Sequence, residues 1–297
     1  MTISRSCGLA FGGSFVSLPT PRKAQALVRF SLFLLLIVGS VSRVSSQERS
    51  AKLRLDSRDS VKQEDPPFRG LDASLYMLTS AEYKACCLQA FRWAGIMAKE
   101  KLSTRQDQSK PAAVVIDLDE TILDNGWFQS NQIREVAAFD AQRWERWERT
   151  GADKVRLIPG AKKFIDQLRE LKIEPIYITN RNDKAREQTK SVLERFEIAV
   201  PDEQLLCADE KTGSDKTSRR EIAAAKFDIL IFVGDNLRDF DERFKYDRAV
   251  VGDKRSKTVE ELQDKFGVEW IILPNPSYGE WNKRFSNSKA DVELLYK

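Results

Sequence analysis

Residues 112–125 read AAVVIDLDETILDN, and no other stretch limits the fold of this chain as much. The apolar start reads as a buried strand, and two aspartates separated by one leucine end it. In an extended chain, residues two apart point to the same side, so Asp117 and Asp119 lie together while Leu118 faces the opposite way. Two like charges that close are unfavourable unless neutralised, and hard cations such as Mg2+ take oxygen ligands of this kind. A plain acidic loop would be spelled the same way, so the rest of the chain has to decide.

Downstream, apolar runs alternate with amphipathic ones. Thr79, with Glu82 three residues on, is a capping-box pattern, and Tyr83, Cys87, Ala90, Ala94 and Met97 then recur at helical spacing. Residues 127–149 are rich in charge and aromatics, with Trp144 and Trp147 three apart on one helix face. Pro159-Gly160 opens an amphipathic helix through Phe164, Leu168 and Leu171. A strand at 175–179 follows, then a charged helix to Phe196. A helix from Lys216 to about Lys226, strands at 229–233, 249–251 and 270–273, and a helix at 258–266 complete the pattern. This alternation specifies an α/β fold with a mainly parallel sheet covered on both faces. Ligands of such sheets bind outside the carboxyl ends of the strands, where Asp117/Asp119, Thr179/Asn180 and Asp235/Asp239 fall.

Composition removes several alternatives. The 297 residues contain no histidine, which excludes histidine-nucleophile phosphatases, Ser-His-Asp hydrolases and histidine-ligated zinc enzymes. Three of the four cysteines, Cys86, Cys87 and Cys207, lie beyond the N-terminal segment, and their spacing makes neither a disulfide framework nor a zinc site. Residues 1–46 carry Arg5, Arg22, Lys23, Arg29 and Arg43 and no acids, so removing these 5 charges takes the formal +4 to −1. A near-neutral remainder offers no broad basic surface for a nucleic-acid polymer. The same segment has an apolar run at 30–38 after its basic residues and small residues at Gly39, Ser40, Ser42, Ser45 and Ser46, the pattern of a secretory signal. Residues 47–69 hold 11 charged residues in 23, a composition suited to a tether.

The three polar clusters and one lysine suit phosphoryl transfer. Asp117, at the end of the first strand, is placed to attack phosphorus and form an aspartyl-phosphate. Asp119 can protonate the leaving oxygen and then activate water. Asp235 would hold Mg2+, Thr179 can hydrogen-bond a phosphoryl oxygen, and Lys216 can neutralise charge accumulating there. Asp239, four residues after Asp235, can reach the same metal edge through water or Lys216.

These residues carry a resemblance. Asp117-Leu118-Asp119-Glu120-Thr121, Ile178-Thr179-Asn180-Arg181, Lys216 and Gly234-Asp235-Asn236-Leu237-Arg238-Asp239-Phe240 resemble, in order, the four motifs of the haloacid dehalogenase superfamily. VVIDLDETILDN with VGDNLRDF is similar, more narrowly, to the class C bacterial acid phosphatases, the outer-membrane lipoprotein acid phosphatase or 5'-nucleotidase group, over about residues 78–281. The resemblance implies a three-layer haloacid-dehalogenase-like α/β core with a small helical portion, Mg2+ as cofactor, and phosphomonoester hydrolysis at the outer face of the cell. It implies Asp117 as nucleophile, Asp119 as acid/base with its backbone carbonyl on the metal, Asp117 and Asp235 as metal-ligand carboxylates, and Asp239 in support. Trp144 and Tyr278 would sandwich a substrate ring, with Asn180 also at the substrate. Two departures are evident: Phe128 stands where the family usually has tyrosine, and no cysteine follows the apolar run.

The expected organisation is a signal peptide or N-terminal anchor at 1–46, a flexible linker at 47–70, and an acid phosphatase domain at 71–297. Its helical portion covers about 71–110 and 126–157. The expected protein is secreted, periplasmic or in the cell envelope, and acts on small phosphomonoesters, 5'-nucleotides among them. Membrane attachment through an uncleaved N-terminus and assembly into a homo-oligomer stay open. So do a phosphotransferase and, on the same fold, a catalytically reduced storage or binding protein or a dehalogenase.

Overall fold

The computed structural model describes residues 70–283, apart from 107, 138, 212 and 249–252. The leader, all of the linker except Gly70, and the strand expected at 249–251 lie outside the described residues.

The described chain begins with helices α1 (Leu71–Thr79) and α2 (Ala81–Thr104). Strand β1 (Ala112–Ile116) follows, then β2 (Leu123–Asp124), α3 (Gly126–Arg134), α4 (Ala141–Thr150) and β3 (Arg156–Leu157). From there helices and strands alternate through α5 (Ala161–Glu170), β4 (Glu174–Asn182), α6 (Arg186–Glu194), β5 (Leu205–Ala208), α7 (Thr217–Lys226), β6 (Asp228–Gly234), α8 (Lys254–Glu261) and β7 (Trp270–Ile272).

Five strands form one sheet in the order β5-β4-β1-β6-β7, with every pairing parallel. β1 is therefore central and buried along its whole length, which is why its sequence shows no polar alternation. Its side chains divide between the faces. Val114 and Ile116 join a core with Phe91 of α2, Phe164 and Leu168 of α5 and Leu193 of α6. Ala113 and Val115 point the other way, into a core with Ile176, Ile178 and Ala223 of α7. Burying a branched side chain of this kind contributes about 1.5–3 kcal/mol, so the strand is fixed from both faces. The three-layer α/β fold is the one expected; of the small helices, α4 packs against β4 and α3 against α1.

Several local expectations need correction. The cap of the long helix is Ser80, whose hydroxyl oxygen accepts from the Tyr83 N–H at 3.0 Å, because Thr79 still belongs to α1 and donates back to the Leu75 carbonyl at 2.7 Å. β4 runs on to Asn182, since pairing with β5 resumes at Ala208 after an irregularity. β5 itself was not expected, and neither was the antiparallel pair β2 and β3. α8 starts at Lys254, four residues before the expected helix, and a 3-10 turn completes that segment. Gly160 enters α5 at φ 96°, a left-handed conformation that a β-carbon disfavours. Among the described residues, no helix is long and apolar enough to cross a membrane.

Candidate active site

The carboxyl ends of β1, β4 and β6 lie side by side, and each delivers polar residues to the same edge. The Asp117 N–H continues the sheet ladder by donating to Val233 O at 3.0 Å. The chain then turns tightly, with the Ile122 and Leu123 N–H groups both donating to Leu118 O at 2.8 Å. Leu118 is fully buried in the core, and Asp117 and Asp119 rise on the opposite side, as the two-residue period requires.

After β6 the chain enters a 3-10 turn, Leu237–Asp239, capped by Asn236. The Asp239 carboxylate accepts from the Asn236 N–H at 2.9 Å, which folds it back over Gly234. A β-carbon at position 234 would fall on that carboxylate, so the glycine is required by close approach. Lys216 occupies the residue before α7, only 3% exposed, and donates its ammonium to Asp117 and to Asp239 Oδ1, the latter at 2.7 Å. The residue whose surroundings in sequence resemble solvent-exposed surface is thus a buried counterion.

Oxygens of Asp117, Asp235 and Asp239 lie within 4.8 Å of one another. Burial, and then the neighbouring carboxylates Asp239, Asp235 and Asp119, push Asp117 well above the ordinary carboxylate range against the opposing pull of Lys216. Burial works against the Lys216 charge, but Asp117 and Asp239 outweigh it and hold the ammonium above its usual value. Asp235 is pushed up to about 7, first by burial and then by Asp239. Its own hydrogen-bond donors are neutral: Thr121 Oγ1 at 3.1 Å and Asn275 Nδ2 at 2.8 Å. Three hard oxygen donors, with one cation shared between two of them, fit a divalent ion such as Mg2+.

Asp119 points elsewhere. Arg181 donates Nε at 2.9 Å and Nη2 at 2.8 Å to its Oδ1, and Asn125 Nδ2 adds a third bond at 2.9 Å. Among the described residues, Oδ2 meets Arg181 Nε at 3.2 Å and Thr179 Oγ1 at 3.4 Å. Thr179 is fully buried, and its hydroxyl oxygen also accepts from the Arg181 N–H at 3.1 Å. Arg219 ties this edge to the Lys216 loop by donating to Thr179 O, to Asn180 Oδ1 at 2.9 Å and to Asp215 O at 2.8 Å.

Above these groups is a cavity of about 540 Å³. Asp117, Asp119, Asn180, Lys216, Asp235 and Asp239 line it together. Trp144 and Tyr278 line it as well, so all the sequence-selected residues except buried Thr179 face one space. Trp144 is held by its own bond from Nε1 to Glu148 Oε1 at 2.7 Å and packs edge-on against Phe128, whose ring lies 5.2 Å away. Phe139, which sequence reasoning passed over, lines the same cavity and is 68% exposed.

Arg181, Asn125, Arg219 and Asn275 were also missed as site residues. Arg181 and Asn125 stand inside quoted motifs, so their position was available and their function was not. Asn275, in Leu273-Pro274-Asn275-Pro276, is a polar residue at the carboxyl end of the last strand and follows the rule that picked out the other clusters.

Comparison with known proteins agrees with this geometry. The sequence model of the family described as HAD superfamily, subfamily IIIB (acid phosphatase), matches residues 42–281. Two solved structures of class C acid phosphatase from Bacillus anthracis, one of them with tungstate bound, superpose with a TM-score of 0.68. They are 28% and 29% identical to this chain, over 78% of it and 96% of theirs.

Proposed function

The chain belongs to subfamily IIIB of the HAD superfamily, the acid phosphatases, and is a phosphomonoester hydrolase; from that premise we propose that it works with Mg2+ through an aspartyl-phosphate on Asp117. The observation that carries this reading is the meeting of Asp117, Asp235 and Asp239, two of them bonded to Lys216, in a cavity that Phe139, Trp144 and Tyr278 also line. The tungstate in one similar structure, a tetrahedral oxyanion like phosphate, supports it.

An oxygen of Asp117 attacks phosphorus as the bond to the ester oxygen breaks, and Asp119 gives that leaving oxygen its proton. Asp119 Oδ2 is the oxygen for this task, because three N–H donors already occupy Oδ1. In the second step Asp119 takes a proton from water as the water oxygen bonds to phosphorus, which releases phosphate and restores Asp117. Lys216 compensates the charge on Asp117 throughout. Asp117 and Asp235, with the Asp119 backbone carbonyl, would hold Mg2+ with Asp239 in support. Charge neutralisation between nucleophile and phosphate is what the ion supplies when bound.

Phe139, Trp144 and Tyr278 favour esters that carry a flat ring, 5'-nucleotides among them, since stacking tolerates many bases. Residues 1–46 serve as a signal peptide or anchor and 47–70 as a tether for the domain at 71–297, placing the enzyme outside the cytoplasm. A phosphate-release screen over nucleotides, sugar phosphates and aryl phosphates, with and without Mg2+, tests the reading. Turnover that is unaffected by chelation would overturn the metal assignment, and transfer to an added alcohol in preference to water would make it a phosphotransferase.

A further inference from the structure

Asn125 stands at the N-cap position of α3, where asparagine ordinarily caps, yet its side chain makes no capping bond. It is fully buried and committed elsewhere. Its Oδ1 accepts from Trp147 Nε1 at 2.9 Å and from Arg181 Nη2 at 3.2 Å. Indole and guanidinium nitrogens only donate, so the oxygen end of the amide must face them. The nitrogen end then faces two acceptors, Asp119 Oδ1 at 2.9 Å and Glu120 Oε1 at 3.2 Å. Turning the amide over would set N–H against N–H and oxygen against carboxylate, so one orientation is enforced from both ends.

The backbone reinforces that orientation. Glu120 is held at φ 61°, an uncommon conformation for a residue with a side chain, and its Oε1 accepts the Asn125 N–H as well at 3.2 Å. Trp147 belongs to α4 and stacks on Trp127, ring centres 5.5 Å apart and planes within 6°. It also touches Phe128, the ring beneath Trp144. The carboxylate that faces the reacting ester is therefore connected, through the Asn125 amide and then the Trp147 and Phe128 rings, to Trp144 of the cavity lining.

We infer that Asn125 is a positioning residue for Asp119 and that the Trp147 N–H on α4 sets the direction in which the Asn125 amide points. The inference rests on the assignment of Asp119 as proton carrier. Its consequence is specific: loosening Asp119 hurts most where the leaving oxygen needs a proton, and least where the leaving group departs readily as an anion.

The test compares kcat/KM for an alkyl phosphate and for 4-nitrophenyl phosphate in Asn125→Ala, Trp147→Phe and Asp119→Ala. Asn125→Ala is expected to lose about 10-fold or more on the alkyl ester and only a few-fold on the nitrophenyl ester. Trp147→Phe, which keeps the ring and removes the N–H, shows the same selectivity to a smaller degree, and it decides the matter if Asn125→Ala does not fold. Equal losses on both esters, as a purely structural role would give, overturn the inference, and so does no loss at all. Asp119→Ala separates the two levels. Selectivity there without selectivity in Asn125→Ala and Trp147→Phe defeats this inference alone, whereas no selectivity in Asp119→Ala defeats the proton-carrier assignment beneath it.

Discussion

Arg181 grips Oδ1 of Asp119 with two nitrogens, Nε at 2.9 Å and Nη2 at 2.8 Å, and reaches Oδ2 with Nε at 3.2 Å, from a position only 1% exposed. Lysine keeps the charge but cannot reproduce a planar two-point grip. Arg181→Lys is expected to lower kcat/KM for phosphate release by about 10- to 100-fold, the worth of one charge-assisted hydrogen bond. Wild-type kinetics in that variant would remove Arg181 from the catalytic arrangement.

Asp117→Asn keeps the shape of the side chain and removes the nucleophile. Phosphate release should fall to background while the circular dichroism spectrum stays native, because Lys216 retains Asp239 as a partner. No phosphate should remain bonded to the acid-quenched protein, whereas wild type quenched during turnover carries it on Asp117. Substantial residual turnover would sink the aspartyl-phosphate mechanism.

The raised carboxyls make stability depend on pH in a defined direction. Asp235 is pushed to about 7 by burial and Asp239, and Glu148 to about 7 by burial and Asp119. In the unfolded chain both would ionise near ~4, so between ~4 and 7 the fold binds more protons than the unfolded state and loses stability as pH rises. In chelator, Tm is expected to drop by several degrees from pH 5 to pH 8. Added Mg2+ should raise Tm more at pH 8, where the carboxylates that would receive it are ionised. A Tm that climbs with pH in chelator contradicts this account.

Aromatic truncation separates stacking from packing. Phe139→Ala and Tyr278→Ala should each raise KM for a nucleoside 5'-monophosphate about 10-fold, since a stacked base is worth ~1–3 kcal/mol, and leave KM for glycerol phosphate unchanged. Trp144→Ala, by contrast, removes the donor to Glu148 and the edge contact with Phe128, so a fall in Tm accompanies any kinetic change. Identical KM shifts on both substrates would show that these rings do not recognise the base.

What the sequence revealed was local: the unbroken apolar runs of β1 and β6, and the acidic clusters directly after them. What it concealed depended on distant partners. β5 is four residues long with charged residues on either side, and β2 pairs with a strand more than thirty positions away, so neither leaves a periodic signal. Lys216 sits among charged residues and is buried only because two carboxylates 99 and 23 positions away require it. Thr79 and Ser80 are equally good caps by composition, and the end of α1 decides between them. Arg181 and Asn125 were visible inside motifs, but their roles arise from one carboxylate and one indole that meet only in the folded chain.

Because β1 is the middle strand, the site closes only when remote parts of the chain arrive on both of its sides. Thr121 is bonded to Asp235 across 114 positions, and Lys216 to Asp117 across 99. Helices form within about a microsecond, while contacts of such long span form late. On dilution from denaturant, helical ellipticity should therefore return before phosphate release does, and the enzyme's own turnover becomes a clock for the final closure of its sheet.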